Sequence, residues 1–159
     1  MDEVTLVADL LIAMIEGIKS KKQIKGFYTA YEDKFEHNTE ELENQFDRTM
    51  ATIESVFGDS LGTSEFHRIH LFYTLFTAFY HGIYGLQGLS EPRPKIEPGC
   101  FERVLSALGR VDEVFDATEQ GGKLDEAAEK FIEDSRRATT DALVRSRRTI
   151  FVVRLMNAS

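Results

Sequence analysis

At 159 residues the chain is long enough to bury the core of one domain, and its 42% hydrophobic residues, with twelve Phe and five Tyr, exclude a disordered polypeptide. The one cysteine, Cys100, leaves no internal disulfide and excludes a secreted, disulfide-stapled mini-fold. The net charge of −8 is uneven: residues 136–159 hold six Arg and one Asp, a net of +5, which leaves −13 on residues 1–135 and argues against broad nucleic-acid binding by anything but the C-terminal segment.

The N-terminus opens on Asp2 and Glu3, not on a basic region, so a signal peptide is not expected and an intracellular, cytoplasmic protein is. Val4, Val7, Leu11, Met14, Ile15 and Ile18 then recur at spacings of three and four, the mark of one helix face. Leu6, Leu10 and Ala13 widen that face, which predicts a deeply packed helix ending near 17–20. After the basic turn 19–25, Phe27, Tyr28, Tyr31 and Phe35 mark a second, short helix. Asn38 and Glu41 have the spacing of a capping box, in which the Asn side chain accepts from a free amide of the first turn and the Glu reaches back. The stripe Leu42, Phe46, Met50, Ile53 and Phe57 follows, stopped by Gly58 and Asp59.

Thr63 or Ser64 is a start signal for an aromatic-rich helix from about Glu65 to Tyr84, ended by Gly85 and Gly88. Residues 69–90 carry no formal charge and are long enough to span a bilayer, but His70, His81, Gln87, three Tyr and two Thr favour a central helix buried on most sides over a membrane span. Residues 86–98, with Pro92, Pro94 and Pro98, form one long loop rather than a domain boundary. Beyond it Phe101, Val104, Leu105, Leu108, Val111 and Phe115 give an amphipathic helix closed by Gly121 and Gly122, and Leu124, Ala127, Ala128, Phe131 and Ile132 give the next. Thr139 or Thr140 is placed to cap the last helix, whose apolar surface comes from Leu143, Val144, Ile150, Phe151, Val153 and Leu155. No segment alternates with period two. The expectation is a single all-α domain over 1–159, a compact bundle of about six helices around the central aromatic-rich one.

His67 and His70, at i and i+3, have a spacing used in metal sites, but the nearest further imidazole on that face, His81, lies roughly 16 Å along the axis, too far to share an ion. No metal and no cofactor is expected. His70, Tyr73, Thr77, His81 and Tyr84 make a polar-aromatic stripe. With His67 at its start, that stripe lines either a pocket or a contact surface, or else is core with its hydroxyls and imidazoles satisfied internally. At the C-terminal end Arg136, Arg137, Arg145, Arg147, Arg148 and Arg154 are candidates for a partner or phosphate contact, although Arg147 and Arg154 share one helix face while Arg145 and Arg148 share another. Pairing with the acidic body of the same chain is the competing reading. Nucleophile elbows and phosphate-binding loops have no match in the sequence.

Phe27-Tyr28-x-x-Tyr31 followed by Phe35, the helix Leu42 to Phe57 ending in Gly58-Asp59, Phe72-Tyr73-x-Leu75-Phe76, and the closing Arg137-Ala138-Thr139-Thr140 with Arg145 and Arg148 form a pattern across most of the chain. This pattern resembles the helical half of the prokaryotic family catalogued as domain of unknown function 262, the GmrSD-like proteins. In that family the N-terminal half has a ParB and sulfiredoxin-like fold with an Asp-Gly-Gln-Gln-Arg motif, and its members are linked to phage defence by nucleotide-dependent DNA restriction. That motif is absent here, as is a His-Asn-His nuclease motif. The resemblance therefore implies a detached, non-catalytic helical accessory or interaction domain, a truncated product or one subunit of a split system, with a ParB-like or nuclease protein as partner. Two other readings stand beside it: a small ligand-binding or enzymatic bundle with a pocket along His70, Tyr73, Thr77 and His81, and a DNA-binding module acting through the Arg-rich last helix.

Overall fold

The structure, a computed structural model, describes residues 3–32 and 34–159. Asp2, whose charge enters the reading of the N-terminus, lies outside the described residues. Seven α-helices are present among the described residues, and none of those residues forms a strand: α1 (Glu3–Glu16), α2 (Ile24–Ala30), α3 (Thr39–Phe57), α4 (Ile69–Tyr84), α5 (Phe101–Glu119), α6 (Glu126–Arg136) and α7 (Ala142–Ala158). The short second helix expected around Phe27 and Tyr28 is α2, which covers seven residues and stops before Phe35.

Helix α4 is the axis of the bundle. It packs against α1, α3 and α7, and every residue from Tyr73 to His81 is buried. Each Leu or Phe so enclosed contributes about 1.5–3 kcal/mol relative to leaving it in water, which is why a helix rich in Phe and Leu takes the centre. On the α3 side the rings of Phe46, Phe76, Tyr80 and Tyr84 form a ladder with neighbouring centroids 5.4, 6.4 and 5.2 Å apart, and the Tyr80 hydroxyl donates to Gln45 Oε1 at 2.8 Å. No helix among the described residues is long and apolar enough to cross a membrane.

Local signals set most boundaries. Asn38 Oδ1 accepts the Glu41 amide at 3.0 Å, while the Glu41 side chain accepts from Gln45 at 3.4 Å. Gly58 and Gly85 end α3 and α4 at φ of 54° and 85°, a region where an L side chain is strained. Two boundaries move. α4 begins at Ile69 rather than Glu65, because Arg68 is extended and interrupts the helix, so residues 65–67 form a separate 3-10 turn, whose Glu65 amide donates to Asp112 of α5 at 2.7 Å. The N-cap position of α7 is Asp141, with no side-chain capping bond, and not Thr139 or Thr140, whose carbonyls are turned to other partners.

The long loop after α4 is pinned to the bundle rather than free. His81 accepts the Leu86 amide on Nδ1 (3.0 Å) and donates from Nε2 to the Glu91 carbonyl (2.8 Å), Arg154 pairs with the Glu91 carboxylate (2.8 Å), and Asn157 donates to the Pro92 carbonyl (2.8 Å). The loop lies so close that a Cβ on Gly82 would stand 2.6 Å from Ile96 Cδ1 and 2.9 Å from the Pro94 carbonyl oxygen. Gly82→Ala is therefore expected to destabilise the protein by about 1–3 kcal/mol, the usual cost of forcing an extra carbon into packed structure. A lower urea midpoint at unchanged slope would show it.

Candidate functional site

The residues that the sequence marks for chemistry converge on the contact between α4 and α7. Helix α7 buries Val144, Arg145, Arg148, Thr149, Val152, Val153 and Met156, so two guanidinium groups lie on the same face as its apolar residues. Arg145 and Arg148 are 2% and 0% exposed. At that burial a cation is tolerated only if its donors are met, since removing it from water costs several kcal/mol.

Arg145 meets Asp9 of α1 end-on, with Nη1 to Oδ1 at 2.9 Å and Nη2 to Oδ2 at 2.6 Å, and Nη1 also donates to the Lys19 carbonyl at 2.9 Å. Asp9 is itself 2% exposed. The Arg145 guanidinium lies 4.1 Å from the centroid of the Tyr73 ring, within cation–π range. Burial of Tyr73 raises the pKa of its phenol above the ordinary tyrosine value. One residue of α7 thus joins α1, the turn after it, and α4.

Arg148 has no carboxylate of its own. Nε donates to Thr74 Oγ1 (3.0 Å), Nη1 to the Asp134 carbonyl (2.7 Å), and Nη2 to the Thr139 carbonyl (2.8 Å) with a longer approach to the His70 carbonyl (3.5 Å). Burial, and next the Arg145 guanidinium, push its pKa down to about 10, so it remains charged at neutral pH. Its partners at 134 and 139 bracket the turn between α6 and α7. Beside it the Asp134 carboxylate, 3% exposed, takes a bidentate pair from Arg147 at 2.8 Å on both oxygens, and Lys130 approaches at 3.7 Å. That pairing raises the Arg147 pKa further.

The same geometry closes the pocket expected along α4. Tyr73, Thr77 and His81 are 2%, 0% and 3% exposed. Thr77 Oγ1 lies 2.8 Å from Thr149 Oγ1 of α7 and 3.0 Å from both the Tyr73 and Thr74 carbonyls. His81 is committed to the loop at both nitrogens. His67 sits on the surface with Nδ1 2.6 Å from the Ser64 carbonyl, away from the others. The stripe is largely core: Thr77 and His81 have found partners on other elements, whereas the Tyr73 hydroxyl and His70 Nε2 are buried without a hydrogen-bond partner. Among the described residues no three His, Cys, Asp or Glu side chains stand where they would hold a metal ion.

The arginine set divides as well. Arg145 and Arg148 do not reach a partner or a phosphate, since both are enclosed and bonded, and Arg147 is bound to Asp134. Arg136 and Arg137 are exposed and form no ion pair among the described residues. They stand at the turn that Arg148 braces. In the same turn Ala138 adopts φ 50°, a left-handed conformation that costs an L residue roughly 1–2 kcal/mol, and Leu143 beyond it is 75% exposed. Asp9 is the functional neighbour that sequence reasoning missed. Its signal was available: a lone acid inside the apolar run Leu6 to Ile15, where a carboxylate is costly without a partner.

The chain matches no family model, no curated protein and no solved structure.

Two outcomes follow from the network. Asp9→Asn leaves Arg145 charged and unpaired, and is expected to cost about 3–5 kcal/mol in urea unfolding, whereas Asp9→Leu combined with Arg145→Met is expected to cost much less. His70, half-buried beside Arg148, has its pKa pushed down to about 4, first by burial and then by that cation. It is neutral in the folded protein, so stability is full above about pH 6.5, where the unfolded imidazole is neutral too, and is lost as pH falls from there toward 4. Urea midpoints at pH 7 and pH 5 should differ, and His70→Gln should narrow the difference.

Proposed function

We propose that this protein is a non-catalytic helical accessory domain that binds a ParB-like partner of a phage-defence, restriction-type system. Its contact is the turn between α6 and α7. The observation that carries this reading is the contrast between the two sets of arginines. Arg145, Arg147 and Arg148 are consumed inside the chain, while Arg136 and Arg137 project from the turn they hold.

Physical features of the turn support it. Arg148 ties both flanks through the Asp134 and Thr139 carbonyls, and Thr140 accepts the Lys21 amide at 3.1 Å, so the turn is anchored to α7 and to the segment after α1. Strain of the kind seen at Ala138 persists where surrounding structure enforces it, and such positions cluster at sites that bind. Two free guanidinium groups beside an exposed Leu match the composition of interface anchors, where Arg is enriched. As a DNA-binding surface the same turn is poor, because two phosphate contacts give an affinity far below that of proteins making about 6–10. The resemblance to the helical half of the GmrSD-like family supplies the class of partner, and the internal pairing of the other polar side chains fits a supporting rather than a reacting role.

The test is co-expression with a ParB-like protein encoded beside this chain's gene. The two are expected to elute together in gel filtration. Arg136→Glu with Arg137→Glu should weaken the complex at least tenfold while leaving the urea midpoint of the isolated chain within about 0.5 kcal/mol, the usual range for surface changes. Nucleotide hydrolysis or DNA cleavage by the chain alone, or a ParB-like neighbour that does not bind, contradicts the proposal.

A further inference from the structure

A second surface, remote in sequence from that turn, has a different chemistry. Helix α1 is apolar on nearly all sides. Its inner face, with Leu10, Ala13 and Met14, enters the core, and its outer residues Leu11, Ile12 and Ile15 form the floor of a groove walled by α2 and the segment after it. The groove has a volume of about 390 Å³, within the range of small-molecule sites. Four rings stand along its wall: Phe27, Tyr28, Tyr31 and Phe35. Tyr28 is 59% and Phe35 39% exposed, unusual for aromatic residues unless something covers them.

Two carboxylates, Glu16 and Glu32, line the same groove, and among the described residues no Lys or Arg does. Neither forms an ion pair among the described residues. Glu16 is half-buried and accepts a hydrogen bond from the Tyr31 hydroxyl at 2.7 Å, which fixes its carboxylate against the ring wall and holds the Tyr31 proton more tightly than usual. Tyr31 in turn packs edge-on against Phe35 at 5.2 Å, with His37 3.3 Å from the Tyr31 oxygen on the outer side. The groove between α6 and α7, of about 380 Å³, makes the contrast: its cations Arg110, Lys130, Arg147 and Arg154 each already stand within 4 Å of a carboxylate.

We infer that the groove between α1 and α2 binds an organic cation with an apolar or aromatic body. Charge complementarity selects the sign. The faces of aromatic rings carry negative quadrupole, and a cation held against them is attracted electrostatically, the more so where water is excluded. The two unpaired carboxylates act in the same direction, so an anion of equal size meets repulsion from both. The apolar floor selects the body, because it rewards burial of hydrocarbon and offers a hydrated inorganic ion nothing. Tyr31 is a positioning residue: its hydroxyl orients Glu16, and its ring forms part of the wall.

The test is a pair of probes matched in shape and opposite in charge, tetraphenylphosphonium and tetraphenylborate, titrated calorimetrically into the full chain. The phosphonium is expected to bind with one-to-one stoichiometry and at least tenfold more tightly than the borate. Glu32→Gln, which removes no contact that holds the fold, should weaken the phosphonium several-fold, and Glu16→Gln or Phe35→Ala at least tenfold. Borate binding as tightly as phosphonium would overturn the inference, as would phosphonium affinity unchanged in both Glu variants, or no binding of either probe. Light scattering adds a further arm: a dimer that buries this groove and resists saturating phosphonium would make a second copy the occupant and also overturn it. Binding of the phosphonium is independent of the ParB-like partner, so failure here leaves the proposed function standing.

Discussion

A guanidinium taken out of water must find acceptors for its N–H groups, and this fold is arranged around two that are fully enclosed. Arg145 and Arg148 lie one turn apart on α7 and point into the bundle rather than out of it. Most of what they need lies on other elements: a carboxylate on α1, a carbonyl in the turn after it, a hydroxyl on α4, and two carbonyls around the end of α6, with only Arg145 Nε left without a partner. Hydrophobic burial holds the helices together but does not say how α7 is rotated, because apolar contact is non-directional. The two arginines do, since rotation of α7 by one residue would strand both charges. This use of buried polar groups to fix register, rather than to add stability, is the role best attested for them.

The arrangement has a consequence for function. Several polar side chains of the α4–α7 contact, among them Arg145, Arg148, Thr77 and His81, are bonded inside the protein, and two features of the surface stand out. One is a braced turn with free cations, the other an aromatic groove with free carboxylates. They lie at different ends of the sequence and carry opposite signs, so an acidic contact at the first and a cationic ligand at the second do not compete. The segment after α1 joins them: Lys19 and Lys21 give backbone groups to Arg145 and to the turn at Thr140, while Glu16, just before them, lines the groove.

Much of the fold was legible in the sequence. The stripes of α1, α3, α5 and α6 repeat at three and four, Gly58 and Gly85 end their helices, and the polar residues of the uncharged, aromatic α4 favoured a central helix over a membrane span. The fate of the arginines was not. Projection separates Arg145 and Arg148 from Arg147 and Arg154, but apolar residues flank both pairs, so the pattern does not say which pair faces inward. The deciding residue, Asp9, is 136 positions away, and only tertiary contact makes it a partner. For the same reason the stripe Tyr73, Thr77 and His81 reads equally well as a pocket or as core until α7 is seen to cover part of it and the loop after α4 the rest. The start of α4 was misplaced because Arg68 is extended, a break between the 3-10 turn 65–67 and α4 that no residue type in the run announces.

The claim on which the rest depends is that two guanidinium groups are enclosed and fixed. Proton NMR of 15N-arginine-labelled protein addresses it directly, because a fixed, buried guanidinium shows resolved Nη–H signals that exchange slowly, whereas an exposed one averages by rotation and exchanges fast. Two of the arginines, assigned to 145 and 148 by substitution, are expected to give such signals at pH 7, unchanged by 0.5 M salt. Averaged, rapidly exchanging signals from both would contradict the account.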